Sequence, residues 1–228
     1  MLGHSHATSG ALVWAVVAPT VPPLLSATPL RPEDVLVGTL LCAGAALLPD
    51  LDHPEGTIAH FLGPVSRLLA QGVNFISGGH RHATHSFFFA GLMGVGTWAG
   101  EHYLGHYFVL PLVFVLLGLA SRALHLCPPG EGIHSWGVVV AEAVVGTLVV
   151  DRWLPNLPGW LPYLVAVGCL VHLAGDCLTE RGCPLLWPVG HRFGIPLISH
   201  TGNKLETLFL TPAMTVGAVA ALWFMLRG

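Results

Sequence analysis

Seven apolar runs divide the chain, at residues 10–28, 35–49, 86–100, 107–122, 136–151, 160–175 and 206–226. Each reads as a membrane helix, although several fall short of the roughly 20 residues that a perpendicular span needs. The pattern therefore predicts about seven spans, with six to eight as the range. Pro19, Pro22 and Pro23 should kink or end the first helix. Residues 56–76 are more mixed, with Phe61, Val65, Leu68 and Leu69 at helical spacing, which suits a helix lying in the membrane interface. Residues 177–204 are rich in Gly and Pro and read as a long ordered loop. The expected fold is an all-α polytopic membrane helical bundle, with residues 1–228 forming a single integral-membrane domain.

Composition agrees with that pattern. The chain is 53% hydrophobic and 9% charged, against roughly 25% charged residues in soluble domains. Net charge is -3, with 9 Lys and Arg against 14 His. No basic footprint exists, so direct nucleic-acid binding is not expected. No Lys or Arg precedes the first apolar run, so it lacks the charged start of a cleaved signal and is expected to remain as a span. Cys42, Cys127, Cys169, Cys177 and Cys183 are odd in number and include no Cys-x-x-Cys pair. Reduced cysteines are expected, with packing favoured over metal ligation for Cys177 and Cys183.

Polar residues break this background in two islands. One is Pro49-Asp50-Leu51-Asp52-His53 together with His80-Arg81-His82-Ala83-Thr84-His85-Ser86. The other is His172-Leu173-Ala174-Gly175-Asp176. Carboxylates and imidazoles beside hydrocarbon are costly unless paired or bound to metal. Counting helices from His6 brings the chain back to the same face at Asp50, at His85 and at His172. All the islands then share one side of the membrane. Arg67, Arg81, Arg122, Arg181, Arg192 and Lys204 fall on that side, and Arg31, Arg152 and Arg227 on the other. The positive-inside rule makes the island side cytoplasmic.

His172 and Asp176 are four apart, so both side chains lie on one helical face and can share a metal. A His–Asp hydrogen bond at a buried helix end is the structural alternative. Asp50 and Asp52 follow a helix-ending Pro49 and repel each other unless a cation intervenes, although a solvated turn has the same composition. Arg81 offers a planar fork for an anionic oxygen such as phosphate, or serves as an interfacial anchor. Thr84 or Ser86 can cap the following helix. His4 and His6 open the chain on the site face, unless that terminus is disordered. Glu142 lies within an apolar run and needs an interior partner. No Gly-x-Ser-x-Gly, His-Glu-x-x-His or Walker A motif occurs, so metal-activated water is the best-supported nucleophile.

At these residues the chain resembles the YdjM family, described as inner membrane-associated, LexA-binding, metal-dependent hydrolases. The likeness rests on Leu47-Leu48-Pro49-Asp50-Leu51-Asp52-His53-Pro54, on His80-Arg81-x-x-Thr84-His85-Ser86 and on His172-Leu173-x-x-Asp176-x-Leu178-Thr179. It continues in Gly182-x-Pro184-Leu185-Leu186-Trp187-Pro188 and Gly202-Asn203-x-Leu205-Glu206, and an N-terminal His with a small residue four later fits His6 and Gly10. The resemblance implies a metal site built from His6, Asp50, Asp52, His53, His80, His85, His172 and Asp176. It gives His82 no role. Residues 101–160 carry none of these motifs and look lineage-specific. A fainter likeness to the zinc-dependent phospholipase C and nuclease superfamily covers only the ligand types and the His172–Asp176 spacing, and suggests phosphoester chemistry.

The expected activity is hydrolysis of a lipid or lipid-linked phosphoester at the inner membrane. Zinc is favoured for the metal and manganese is the second choice. Asp52, His53 and Arg81 are the expected catalytic group, with Arg81 on the anion and Asp52 or His53 as general base. Two rivals stand beside it: a metal-stabilised scaffold for a cytoplasmic protein partner, and a metal-ion transporter.

Overall fold

A computed structural model of the chain describes residues 1–20, 30–130, 132–154 and 157–227. Among these residues the architecture is helical, with no strand. The α-helices are α1 (Gly3–Val17), α2 (Pro32–Ala45), α3 (Pro64–Ser77), α4 (Phe87–Leu104), α5 (His106–Ala123), α6 (Ile133–Trp153), α7 (Leu161–Cys177) and α8 (Thr211–Arg227). Among the described residues each of the seven apolar runs overlaps a helix, the first run only in part, and α3 is the amphipathic segment.

Local chemistry sets the ends. Pro32 opens α2, where its missing N–H costs nothing. Asp34 reaches back to accept the Arg31 backbone N–H at 2.9 Å and its Nε at 3.1 Å. Pro64 opens α3, and Gly78 closes it in the left-handed region at φ 84°. Ser86 caps α4 by accepting the Phe89 N–H at 3.2 Å. The first helix begins earlier than the apolar run suggested and takes in His4 and His6. It ends in a 3₁₀ turn over Ala18–Thr20 that contains Pro19. The remainder of that run, with Pro22 and Pro23, lies outside the described residues.

Helix α2 sits at the centre, in contact with α1, α5 and α7; α8 packs on α1, α4 on α7 and α6 on α5. Small side chains permit this crowding. A Cβ on Gly44 would overlap the Leu116 carbonyl oxygen, and one on Gly168 would lie 2.6 Å from the Ala45 Cβ. Backbones this close gain dispersion contacts that a bilayer cannot supply through a hydrophobic effect. Trp14 and Trp160 stack with centroids 5.6 Å apart and are buried in the same core.

Among the described residues, four helical stretches are long and apolar enough to cross a membrane: Pro32–Asp52, His106–Ala123, Ile133–Trp153 and Glu206–Arg227. Leu161–Cys177 is apolar but shorter. Large apolar side chains such as Leu148, Val216 and Phe224 point outward, as they would towards lipid. Glu142 finds its interior partner in the Ser121 hydroxyl, which donates to Oε2. The 177–204 stretch is an ordered loop, held by paired backbone bonds of 2.9 Å between Cys183 and Phe193 and by a bridge from Thr179 to Ile198. All five cysteines are free thiols.

Candidate metal centre

Four distant segments bring their polar residues to one end of the bundle. Asp50 and Asp52 lie in a 3₁₀ turn, Leu48–Asp52, directly beyond α2. His85 ends the short turn Ala83–His85 that leads into α4. His172 and Asp176 stand one turn apart on α7, and His6 comes from the first turns of α1. His6, Asp52, His85, His172 and Asp176 are all at most 1% exposed.

The innermost atoms come from both islands. His85 Nε2 and His172 Nε2 are 3.2 Å apart. Asp50 Oδ1 lies 3.6 Å from the first and 3.7 Å from the second. Asp176 Oδ2 lies 3.5 Å and 3.7 Å from the same two atoms. Bonds of roughly 2.0–2.1 Å to a tetrahedral ion would separate its ligands by about 3.4 Å. These five separations, 3.2 to 3.7 Å, and the imidazole and carboxylate donors are compatible with ligands of one divalent cation.

Neighbours fix which imidazole nitrogens carry protons. His172 Nδ1 lies 2.7 Å from the Ala46 carbonyl oxygen, which can only accept, so Nδ1 donates and Nε2 keeps its lone pair. Thr84 must donate its hydroxyl proton to Asp52 Oδ2, so its oxygen accepts from His85 Nδ1 at 3.0 Å. His85 Nε2 is then a lone pair as well. Two lone pairs and two carboxylates facing one point repel unless a proton or a cation joins them. Burial opposes the charged form of His85, but Asp50 and Asp52 outweigh it and lift the imidazole to about 9.

Two arms extend from this centre. On one, Asp52 accepts from His80 Nδ1 at 2.9 Å and from the Arg81 N–H at 3.1 Å. That N–H is aimed by an Arg81 backbone in the left-handed region, φ 60°. Asp50, Asp52, His80 and His85 together form one potential ligand group. On the other arm, His6, His172 and Asp176 form a second. The His6 ring stacks on His172 at 3.7 Å and faces Asp176 Oδ1 through Nε2 at 3.3 Å. Its Nδ1 is buried without a hydrogen-bond partner.

His53 stays at the rim, outside both groups. Its ring sits edge-on to His80 at 4.4 Å, and Nδ1 accepts the Glu55 N–H at 3.2 Å. Burial, with the neighbouring His80, lowers its pKa. Arg81 turns inward: Nη2 donates to Asp176 Oδ1 at 2.7 Å and Nη1 to Thr179 Oγ1 at 2.9 Å. Sequence reasoning missed Thr179 as the support of Arg81 and Thr84 as the link between Asp52 and His85; both stand inside the motifs quoted above. It also missed the Met1 amino group, 2.7 Å from Asp176 Oδ1, and Glu206, which accepts from the Leu2 and Gly202 N–H groups at 2.6 and 2.8 Å.

A family model described as YdjM inner membrane protein matches residues 1–127 and 131–227. The match runs through most of 101–160, which corrects the expectation that this stretch is lineage-specific. Two curated relatives, each named Inner membrane protein YdjM, come from Escherichia coli (strain K12) and Shigella flexneri. Each is 30% identical over 174 residues, covering 76% of this chain and 60% of the relative. The chain thus spans 60% of the length of these relatives. No solved structure matches it significantly.

Proposed function

The chain belongs to the YdjM inner membrane protein family, and from that footing we propose that it is a metal-dependent hydrolase of about seven spans. Its substrate is a phosphoester of a lipid or lipid-linked compound. The observation that carries this reading is the convergence of His85 Nε2, His172 Nε2, Asp50 Oδ1 and Asp176 Oδ2 on one point. Mixed imidazole and carboxylate donors favour zinc, with manganese next. The basic residues on this side, six of nine, favour a cytoplasmic location for the centre.

A divalent ion held there supplies Lewis acidity, polarising a phosphoryl oxygen and acidifying water. The protein's own groups do the rest. Ala46 and Thr84 hold the two imidazoles with Nε2 inward. Asp52, which accepts from His80, Arg81 and Thr84, is an anchor and with His80 would contribute to holding a second ion. His53, partly exposed and with its pKa lowered by burial beside His80, is the proposed general base once Nδ1, which accepts the Glu55 N–H, is released to take a proton. His6, buried and stacked on His172, covers the centre on the α1 side.

The test is hydrolysis of a panel of phospholipids and lipid-linked phosphates by metal-loaded protein in detergent, for wild type and His53→Ala. The variant should keep its metal and lose at least about 100-fold in turnover, the scale of general-base catalysis. A metal-loaded wild type that turns over no member of the panel rejects the activity. One observation favours a scaffold instead: both ends of the Arg81 guanidinium are spent on Asp176 and Thr179. Metal-dependent folding together with no turnover identifies that case, in which the surface serves a cytoplasmic protein partner.

A further inference from the structure

A cavity of about 500 Å³ adjoins the metal centre on the loop side. Arg81, Thr179, Arg181, Ser199, His200 and Thr201 line it, with Glu180 as the single acidic lining residue. We propose that this cavity binds a phosphate group, presented by a lipid headgroup or by a soluble phosphoester.

The charge distribution carries the argument. The whole chain has 9 Lys and Arg residues. Two of them line the cavity, and Arg192 stands behind both, donating to the Arg81 carbonyl at 3.2 Å and the Arg181 carbonyl at 3.4 Å. Three arginines against Asp176 and Glu180 leave a net positive charge in this region, which an anion would offset. The hydroxyls of Ser199 and Thr201 add neutral donors of the kind that grip phosphate oxygens.

Arg81 supplies a second observation. Its side chain is 7% exposed. Nη1 and Nη2 are bonded, but Nε is buried with no acceptor. The same guanidinium bonds Asp176, so an anion in the cavity lies next to the metal centre. Ile195 and Leu197, 70% and 55% exposed, sit on the segment that leads into Ser199. Exposed apolar side chains on the segment next to a cationic pocket would suit the acyl chains of a phospholipid. The assignment rests on the hydrolase reading only for the fate of the anion after it binds.

The experiment uses the full, metal-loaded chain in nanodiscs. Phosphatidic acid in a phosphatidylcholine bilayer is one probe; inorganic phosphate and glycerol 3-phosphate, added to phosphatidylcholine discs, are the others. Affinities are compared for wild type, Arg181→Ala, His200→Ala and Arg152→Ala, the last a control at the other end of the bundle. Metal content and turnover are read on the same samples. Arg181→Ala should weaken binding at least tenfold, with metal content unchanged and Arg152→Ala unaffected. Binding of phosphatidic acid that inorganic phosphate does not displace identifies the lipid source. Displacement by millimolar phosphate with the same dependence on Arg181 identifies a soluble phosphoester. Failure of every probe to bind, or equal weakening in Arg181→Ala and Arg152→Ala, overturns the pocket. Binding without turnover rejects hydrolysis alone.

Discussion

His85 and His172 aim their Nε2 atoms at each other across 3.2 Å although they lie 87 positions apart in the chain. Each ring has its other nitrogen engaged, His85 with Thr84 and His172 with the Ala46 carbonyl. Such a pair needs a shared proton or a shared cation, and Asp50 and Asp176 provide the negative charge that attracts either one.

Metal content tests the centre most directly. Elemental analysis of detergent-purified protein should find a stoichiometric divalent metal in wild type. The folded His172→Ala/Asp176→Ala double variant should retain under a tenth of it. A metal-free wild type after reconstitution, with its fold intact, would remove the basis for a metal centre.

Thr84→Val tests the support of His85. The substitution keeps the shape and removes the hydroxyl that joins Asp52 to the His85 ring. Losses of such outer partners cost about 10–100-fold in metal affinity. Competition against a metal chelator should show that drop while helical content stays constant. Wild-type affinity in the variant would mean that the Thr84 bridge does not orient the ligand.

Acidity should act through His85, whose pKa is raised from 6.5 to about 9 by Asp50 and Asp52 against the effect of burial. A folded-state pKa above the unfolded value gives stability that is complete below about 6.5 and is lost as pH rises through about 9. Chelated protein should therefore melt at lower temperature at pH 9.5 than at pH 6.5. Metal must displace the same proton, so its affinity should fall as pH drops from 9 towards 6.5. Metal titrations at several pH values that show no such slope would contradict the assignment of His85 as a ligand.

Packing at the centre of the bundle is tested by Gly44→Ala. The new methyl would meet the Leu116 carbonyl oxygen, and backbone cannot step aside as a side chain can. Overpacking of this kind costs about 1–3 kcal/mol. Thermal unfolding in detergent should show the loss, whereas Gly72→Ala, with open space around it, should show none of this overpacking penalty.

Much of this protein was legible in the order of its residues. Hydropathy is a local property, so seven apolar runs announced seven helices, and the amphipathic spacing of Val65, Leu68 and Leu69 announced α3. The i, i+4 spacing of His172 and Asp176 fixed their common face, because a helix has one pitch wherever it lies. Reversal of the chain at successive helices led to the expectation that the islands share one end, and the structure does bring their side chains together.

Tertiary structure decided the rest, because it depends on the depth and rotation of each helix against its neighbours. The close approach allowed by Gly44 and Gly168 brings Ala46 within reach of His172 and so selects that ring's tautomer. The register of the turn before α4 puts His85 at the centre and leaves His53 at the rim, although both are histidines beside carboxylates in sequence. Arg81 reads from sequence as an anion hook or an interfacial anchor. In the fold its guanidinium is divided between Asp176 and Thr179, with only Nε left over, and that division follows from a long-range fit that no local pattern encodes.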